Sequence, residues 1–378
     1  MDSTTLILFV LGAGLLIAGA ELLVRGAARL AAAVGVTPLV IGLTVVAFGT
    51  SAPELAVTTQ AALAGKSDIA LGNVVGSNIA NILLILGISA AVVPLIVSHQ
   101  LVRLDVPLMI GVSVLVFLMA LNGTIGVWDG GVLLTGVVAY TFLLVRHSRR
   151  QTRAERIREA LEKARLEELT GEVVPNTFSA ARSVGLVMAG LVILILGGRW
   201  MVSGAVEIAR VFGVSELVIG LTVVAAGTSL PEVATSVMAS IRGHRDMAVG
   251  NLVGSNLYNL LLILGIAAVV TPGGVQVPPA ALHFDLPVMI AVAVACLPIF
   301  FATHRISRWE GLLFVGYYVA YTAYLILQAS RHDSLGAFSG VMGFFVIPLT
   351  VVAMAAVVVR GLHEQRRARE SGAPPWSH

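Results

Sequence analysis

Charge is what this sequence has least of. Only 12% of its 378 residues are Asp, Glu, Lys or Arg, against roughly 25% in an ordinary soluble domain. That is too little polar surface to face water on all sides, which excludes a large soluble protein. Cysteine is almost missing as well. Cys296 stands alone, which excludes an intramolecular disulfide and a thiolate metal cluster. The eight histidines are scattered without zinc-type spacing. No Ser/His or Asp/Asp pair has catalytic spacing, so the chain reads as neither an enzyme nor a cofactor protein. Nothing in it calls for nucleic acid. Met1 to Thr5 lack the basic start of a cleaved signal peptide, so the first apolar run is expected to remain as a helix.

Apolar residues fill the space that charge leaves. They make up 57% of the chain, and mean hydropathy is +0.93. They fall in runs close to the roughly 20 residues that cross a bilayer as a helix. Breaks at charge, Gly and Pro divide the chain into eleven expected spans: 5–34, 37–64, 69–97, 104–121, 128–146, 183–211, 215–241, 247–270, 282–302, 309–328 and 338–360. The one long polar segment, 147–181, carries or adjoins Arg146, Arg149, Arg150, Arg153, Arg156, Arg158, Lys163, Arg165 and Arg182. The tail carries Arg360, Arg366, Arg367 and Arg369. Six spans separate the two, so both lie on one side, which the positive-inside rule makes cytoplasmic. The opposite loops hold only Lys66, Arg210 and Arg331. The expectation is a multi-pass protein of the cell (inner or plasma) membrane. Its N-terminus is outside, and its central linker and C-terminus are cytoplasmic.

Self-comparison gives the organisation. Residues 40–88 align with 218–266 without a gap, and 31 of the 49 positions are identical. The first copy reads VIGLTVVAFGTSAPE and later GNVVGSNIANILLILGI; the second reads VIGLTVVAAGTSLPE and GNLVGSNLYNLLLILGI. Each copy spans five helices, an odd number, and the two are joined on the cytoplasmic side. The second copy must therefore enter the membrane upside down. Inverted repeats of this kind mark secondary transporters, with the site at the midplane between repeats. The expected fold is an all-α membrane protein of two inverted five-helix repeats plus an eleventh C-terminal transmembrane helix. Its parts are 1–146 (first repeat), 147–181 (charged cytoplasmic linker), 182–330 (second, inverted repeat) and 331–378 (extra helix and basic tail).

The polar residues inside the spans point to the chemistry. Glu54 and Glu232 lie in the middle of spans two and seven, where a carboxylate costs at least about 3 kcal/mol. A bound cation would compensate both. Thr50 and Glu54, like Thr228 and Glu232, are spaced i, i+4 and would share a helix face. Pro53 and Pro231 should kink the helices and free carbonyls near Ala47 and Ala225 as ligands. Spans three and eight add Ser77 with Asn81 and Ser255 with Asn259, again i, i+4. Such an oxygen set suits a hard cation such as Ca2+. Gly72, Gly76, Gly250 and Gly254 have the small-xxx-small spacing that draws helices together, here spans two and three. Asn73, Asn78, Asn251 and Asn256 read mainly as interhelical hydrogen-bonders. Asp68 and Asp246 stand where an N-cap is wanted. Glu21 and Arg199 are equivalent residues whose pairing is open.

At these residues the chain resembles a known group. The G-T-S-x-P-E and G-N-x-x-G-S-N blocks resemble the α-repeats of the cation/Ca2+ exchanger superfamily, most closely its prokaryotic Na+/Ca2+ exchanger branch. The resemblance covers about 330 residues. It implies a ten-helix transporter whose second and seventh helices hold the ions, with Glu54 and Glu232 binding Ca2+ and Na+ in alternation. It also implies ligand roles for Thr50, Ser51, Thr228, Ser229, Ser77, Asn81, Ser255 and Asn259, and for backbone oxygens of Ala47 and Ala225. Spans one and six become the moving pair. Asn259 departs from relatives that carry Asp there, potassium-dependent ones among them, and argues against K+ co-transport. The expected partners are Ca2+ and Na+, as transported substrates, and the lipid bilayer. The rival reading is a Ca2+/H+ antiporter on the same glutamates. A cation channel is the rival from another class.

Overall fold

The structure is a computed structural model that describes residues 3–170, 180–214, 216–219, 225–330, 332, 334–348, 351 and 355. Among these residues the chain is helical except for four two-residue strands and short connections. Helix is the form that bonds every backbone group internally, which hydrocarbon demands. Eight described helices are long and apolar enough to cross a membrane. They are Thr5–Val34, Ser67–Val92, Leu101–Ala120, Val127–Arg149, Ala180–Val211, Arg245–Val270, Ala281–Phe300 and Arg308–Ala329, which are spans one, three, four, five, six, eight, nine and ten. Span two is a bent pair, Pro38–Thr50 and Ala52–Leu63. Span seven comprises Glu216–Ile219, Ala225–Thr228 and Leu230–Ile241, with 215 and 220–224 outside the described residues. Span eleven begins as Leu335–Val341 and the π-helical Met342–Val346; beyond 348 it lies almost wholly outside them.

Two boundaries differ from expectation. Span three ends at Val92 rather than 97, because Leu95–Ile96 forms a strand. Span five does not stop at 146 but continues as one helix, Val127–Thr170, into the charged segment. Residues 171–179 of that segment lie outside the described residues.

The inversion is visible in the packing of equivalent elements. Glycines repeat every seven residues on span one (Gly12, Gly19, Gly26) and on span six (Gly190, Gly197, Gly204). A Cβ on Gly19 would stand 2.7 Å from the Leu194 amide nitrogen, and one on Gly190 would stand 2.6 Å from that of Leu23. One on Gly197 would stand 2.7 Å from that of Leu16. Backbone meets backbone along the whole seam, and the numbers run in opposite directions. These two equivalent helices are therefore antiparallel, as inverted repeats require. The same exchange recurs outside this pair. Gly87 of span three meets Gly311 of span ten, and their counterparts Gly265 of span eight and Gly130 of span five meet each other.

Strands tie the repeats at both ends. β1 (Leu95–Ile96) pairs antiparallel with β4 (Arg305–Ile306), and β2 (Thr124–Ile125) pairs with β3 (Val275–Gln276). Each ribbon takes one strand from each repeat. The residue before β2 is Gly123 at φ 84°, and the residue before β4 is His304 at φ 49°, so the left-handed turn survives even where the glycine does not. Even helix irregularity repeats: π-helical Asn81–Leu86 matches Asn259–Ile263, and Leu101–Asp105 matches Ala281–Asp285.

Candidate ion site

Spans two and seven do not kink at their prolines; they break one residue pair earlier. Ser51 (φ −80°, ψ 8°) and Ser229 (φ −90°, ψ 8°) leave helical geometry, and new helices start at Ala52 and Leu230. The two halves of span two meet at 47°. Pro53 and Pro231 thus fall in the first turn of a new helix, where a missing N–H forfeits no bond. This corrects the expectation that Thr50 and Glu54, or Thr228 and Glu232, share the face of one helix. Each threonine ends one helix and each glutamate sits in the first turn of the next. There the positive end of the helix dipole favours a carboxylate.

The break lets each glutamate reach the other repeat. Ser229 Oγ donates to Glu54 Oε1 at 3.1 Å, and Ser51 Oγ donates to Glu232 Oε1 at 3.2 Å. Each carboxylate therefore meets the serine of the opposite repeat. Glu54 and Glu232 are each only 1% exposed. The second oxygen of each, Oε2, is buried with no hydrogen-bond partner. A buried acceptor left unmatched costs roughly 1–3 kcal/mol, and more when charged.

Spans three and eight close the site. Ser77, Asn81, Ser255 and Asn259 are all buried. Asn81 Oδ1, Ser255 Oγ and both amide atoms of Asn259 lack partners. Asn81 Nδ2 donates to Asn256 Oδ1 at 2.9 Å. The mirror pair, Asn78 and Asn259, has no partner on any of its four amide atoms. Asn78 is thus an unmatched polar side chain that was read from sequence mainly as an interhelical hydrogen-bonder. Asn256, its counterpart in the same G-S-N block, is bonded, so the block itself does not separate the two.

Other asparagines do bond between helices. Asn73 Nδ2 donates to Thr58 Oγ1 at 2.8 Å and to the Glu54 carbonyl at 3.2 Å. Asn251 Nδ2 donates to Ser236 Oγ at 3.0 Å, and Asn251 Oδ1 accepts from Thr50 Oγ1 at 3.3 Å. Thr58 and Ser236 are equivalent, and this supporting layer went unnoticed in the sequence. Its signal was there: a hydroxyl one helical turn beyond each glutamate.

Three further expectations need correction. The Ala47 carbonyl is not freed, since it accepts the Ser51 N–H at 3.1 Å and Thr50 Oγ1 at 3.4 Å; Ala225 opens the short helix Ala225–Thr228. Asp68 and Asp246 are not caps, because the capping positions are Lys66 and His244 and the aspartates lie within the first turn. Gly250 and Gly254 draw span eight onto span two of the other repeat: Cβ atoms there would stand 2.9 Å from the Leu39 carbonyl oxygen and 2.7 Å from that of Leu43. Their counterparts Gly72 and Gly76 have no described atom within 4 Å of that position. Glu21, left open above, pairs with Arg25 and Arg242.

Comparison with known proteins bears on what this arrangement does. A family model described as sodium/calcium exchanger protein matches residues 4–146 and 182–327. Inner membrane protein YrbG of Escherichia coli (strain K12) is 35% identical over 283 residues, covering 74% of this chain and 84% of that one. Sodium/calcium exchanger MaX1 of Methanosarcina acetivorans is 31% identical over 311 residues, covering 74% of this chain and 86% of that one. A solved structure of the sodium-calcium exchanger NCX_Mj, soaked with Na+ and Ca2+, superposes with a TM-score of 0.71 at 29% identity. That match covers 85% of this chain and 99% of the other.

Proposed function

The chain belongs to the sodium/calcium exchanger protein family, and from that premise we propose that it couples Na+ flow to Ca2+ movement at the site between its two repeats. Glu54 and Glu232 are the charged ligands. Thr50, Ser51, Thr228, Ser229, Ser77, Asn81, Ser255 and Asn259 supply neutral oxygens. The observation that carries this reading is the reciprocal pair of Ser–Glu bonds across the repeat interface, each glutamate keeping one buried oxygen unmatched.

Two ionised carboxylates in a dry site must be neutralised before the site can cross the membrane. One Ca2+ does so, and Na+ ions on the same oxygens do so in its place. The two loads compete for the same glutamates, so the ions must alternate. That alternation is antiport. A carboxylate, hydroxyl and amide oxygen set also matches the hard-ligand preference of Ca2+. Segments 1–146 and 182–330 act as the two repeats, 147–181 as a connector, and 331–378 as a peripheral addition. The protein sits in the cell membrane with its N-terminus outside and its linker and C-terminus in the cytoplasm, the arrangement favoured by the Lys and Arg of its loops.

The test is Ca2+ uptake into proteoliposomes loaded with Na+ and diluted into Na+-free buffer, beside K+-loaded vesicles carrying a pH gradient. Uptake that needs the Na+ gradient, and is lost in Glu54→Ala and Glu232→Ala, is the expected result. Uptake driven only by the pH gradient would overturn sodium coupling.

A further inference from the structure

Inverted repeats make every unpaired feature informative. A contact with a counterpart in the other repeat can be traded for it when the site turns to face the other side. A contact whose counterpart the sequence forbids can exist on one side only. Glu21 makes such a contact. In the middle of span one, its Oε2 accepts from Arg242 Nε at 2.8 Å, and Arg242 Nη2 lies 2.7 Å from its Oε1, an ion-paired grip. Arg25, one turn along the same helix, is its second cationic partner. Arg242 follows directly on the helix Leu230–Ile241 that begins with Pro231 and Glu232. The grip therefore joins span one to the far end of the helix that carries one of the two site glutamates. A charge-assisted hydrogen bond of this kind is stronger than a neutral one.

The repeat offset places Arg199 opposite Glu21 and Ala64 opposite Arg242. An arginine and an alanine cannot form this pair, so the mirror contact cannot be made. Span one is also not free to move alone, because its glycine seam locks it backbone-to-backbone onto span six. Whatever holds Glu21 holds both helices. The two flanks of the site differ in the same state. Gly72 is exposed and Asn73 half-buried, whereas Gly250 and Asn251 are buried.

Resting on the exchange reading above, we propose that the Glu21–Arg242 pair is a latch. It holds the span one–span six unit in one of its two positions and so sets how long the site is open at the Gly72 flank. Exchange itself needs the latch to break once in each cycle.

The experiment uses full-length protein in proteoliposomes, with Cys296→Ser and Gly72→Cys as the parent. Gly72 is exposed, with no described atom within 4 Å of its Cβ position. The readout is the labelling rate by a membrane-impermeant thiol reagent without Na+ or Ca2+. Glu21→Gln and Arg242→Gln should each slow labelling by about fivefold or more, the low end of ordinary coupling between two states. The double variant should be no slower than either single one, since both remove one contact. Arg242→Lys, which keeps the charge, should lie between parent and Gln variant. Labelling within twofold of the parent in both single variants overturns the latch. So do effects that multiply in the double variant. Ca2+ uptake by the parent is measured alongside: no Na+-driven uptake, with labelling still responding to Glu21→Gln, would overturn the exchange reading and leave the latch standing.

Discussion

At the scale of single residues, the account turns on two serines. Ser51 and Ser229 end one helix and, from the break, give their hydroxyls to the glutamate of the opposite repeat. A carboxylate at this depth loses a donor when either becomes alanine, and the bound cation loses an oxygen. Ser51→Ala and Ser229→Ala should each weaken apparent Ca2+ affinity by about tenfold, the cost of one hydrogen bond to a charged group, with the fold intact. Concentration-dependent Ca2+ uptake checks this, and an unchanged half-saturating Ca2+ for both would count against the shared site. The glutamates, threonines and serines were legible in the sequence because polar residues in apolar spans stand out. The states of the asparagines were not. Asn78 and Asn256 occupy the same repeat position, yet one is unmatched and the other bonded to Asn81 and Met109. The shared G-S-N block carries no mark of that difference.

At the scale of elements, the sequence announced a proline kink and the structure has a break. Pro53 and Pro231 exclude a continuous helix, but where the chain leaves helical geometry depends on what receives the freed groups. Here Ser51 and Ser229 leave it, and their side chains have partners across the interface. No window of one repeat contains that partner, so reading each span alone returned a smooth i, i+4 face. The glycine seam was half legible: spans one and six read as a moving pair, but not as packed backbone to backbone. Close backbone approach makes the seam intolerant of even a methyl group. Gly190→Ala would put a Cβ 2.6 Å from the Leu23 amide nitrogen, whereas at Gly14 nothing lies within 4 Å. Overpacking of this kind typically costs about 1–3 kcal/mol. Gly190→Ala should lower the thermal unfolding midpoint in detergent and slow Ca2+ uptake, while Gly14→Ala should leave both near the parent values. Equal behaviour of the two variants would refute the seam.

At the scale of the whole molecule, duplication explains both the fold and the site. One five-helix unit, written twice and inverted, gives antiparallel equivalent helices, two cross-repeat ribbons and two glutamates that meet at the interface. The offset of the repeats and the odd helix count made the inversion legible before any coordinates, but not the ribbons, since span three reads as helix to 97. The meeting of Glu54 with Ser229 and of Glu232 with Ser51 was not legible, because it depends on how two distant segments dock. A site shared in this way cannot be divided: each half is incomplete without the other, and under the proposed exchange one cation load displaces the other.

That indivisibility is best tested by equilibrium Ca2+ binding to the purified protein over a range of Na+ concentrations. The prediction is that Na+ raises the apparent Kd for Ca2+ without lowering the number of sites, and that Glu54→Gln and Glu232→Gln each abolish measurable Ca2+ binding. Ca2+ binding that is indifferent to Na+, or that survives in either glutamine variant at parental affinity, would contradict a single site shared by both ions and both repeats.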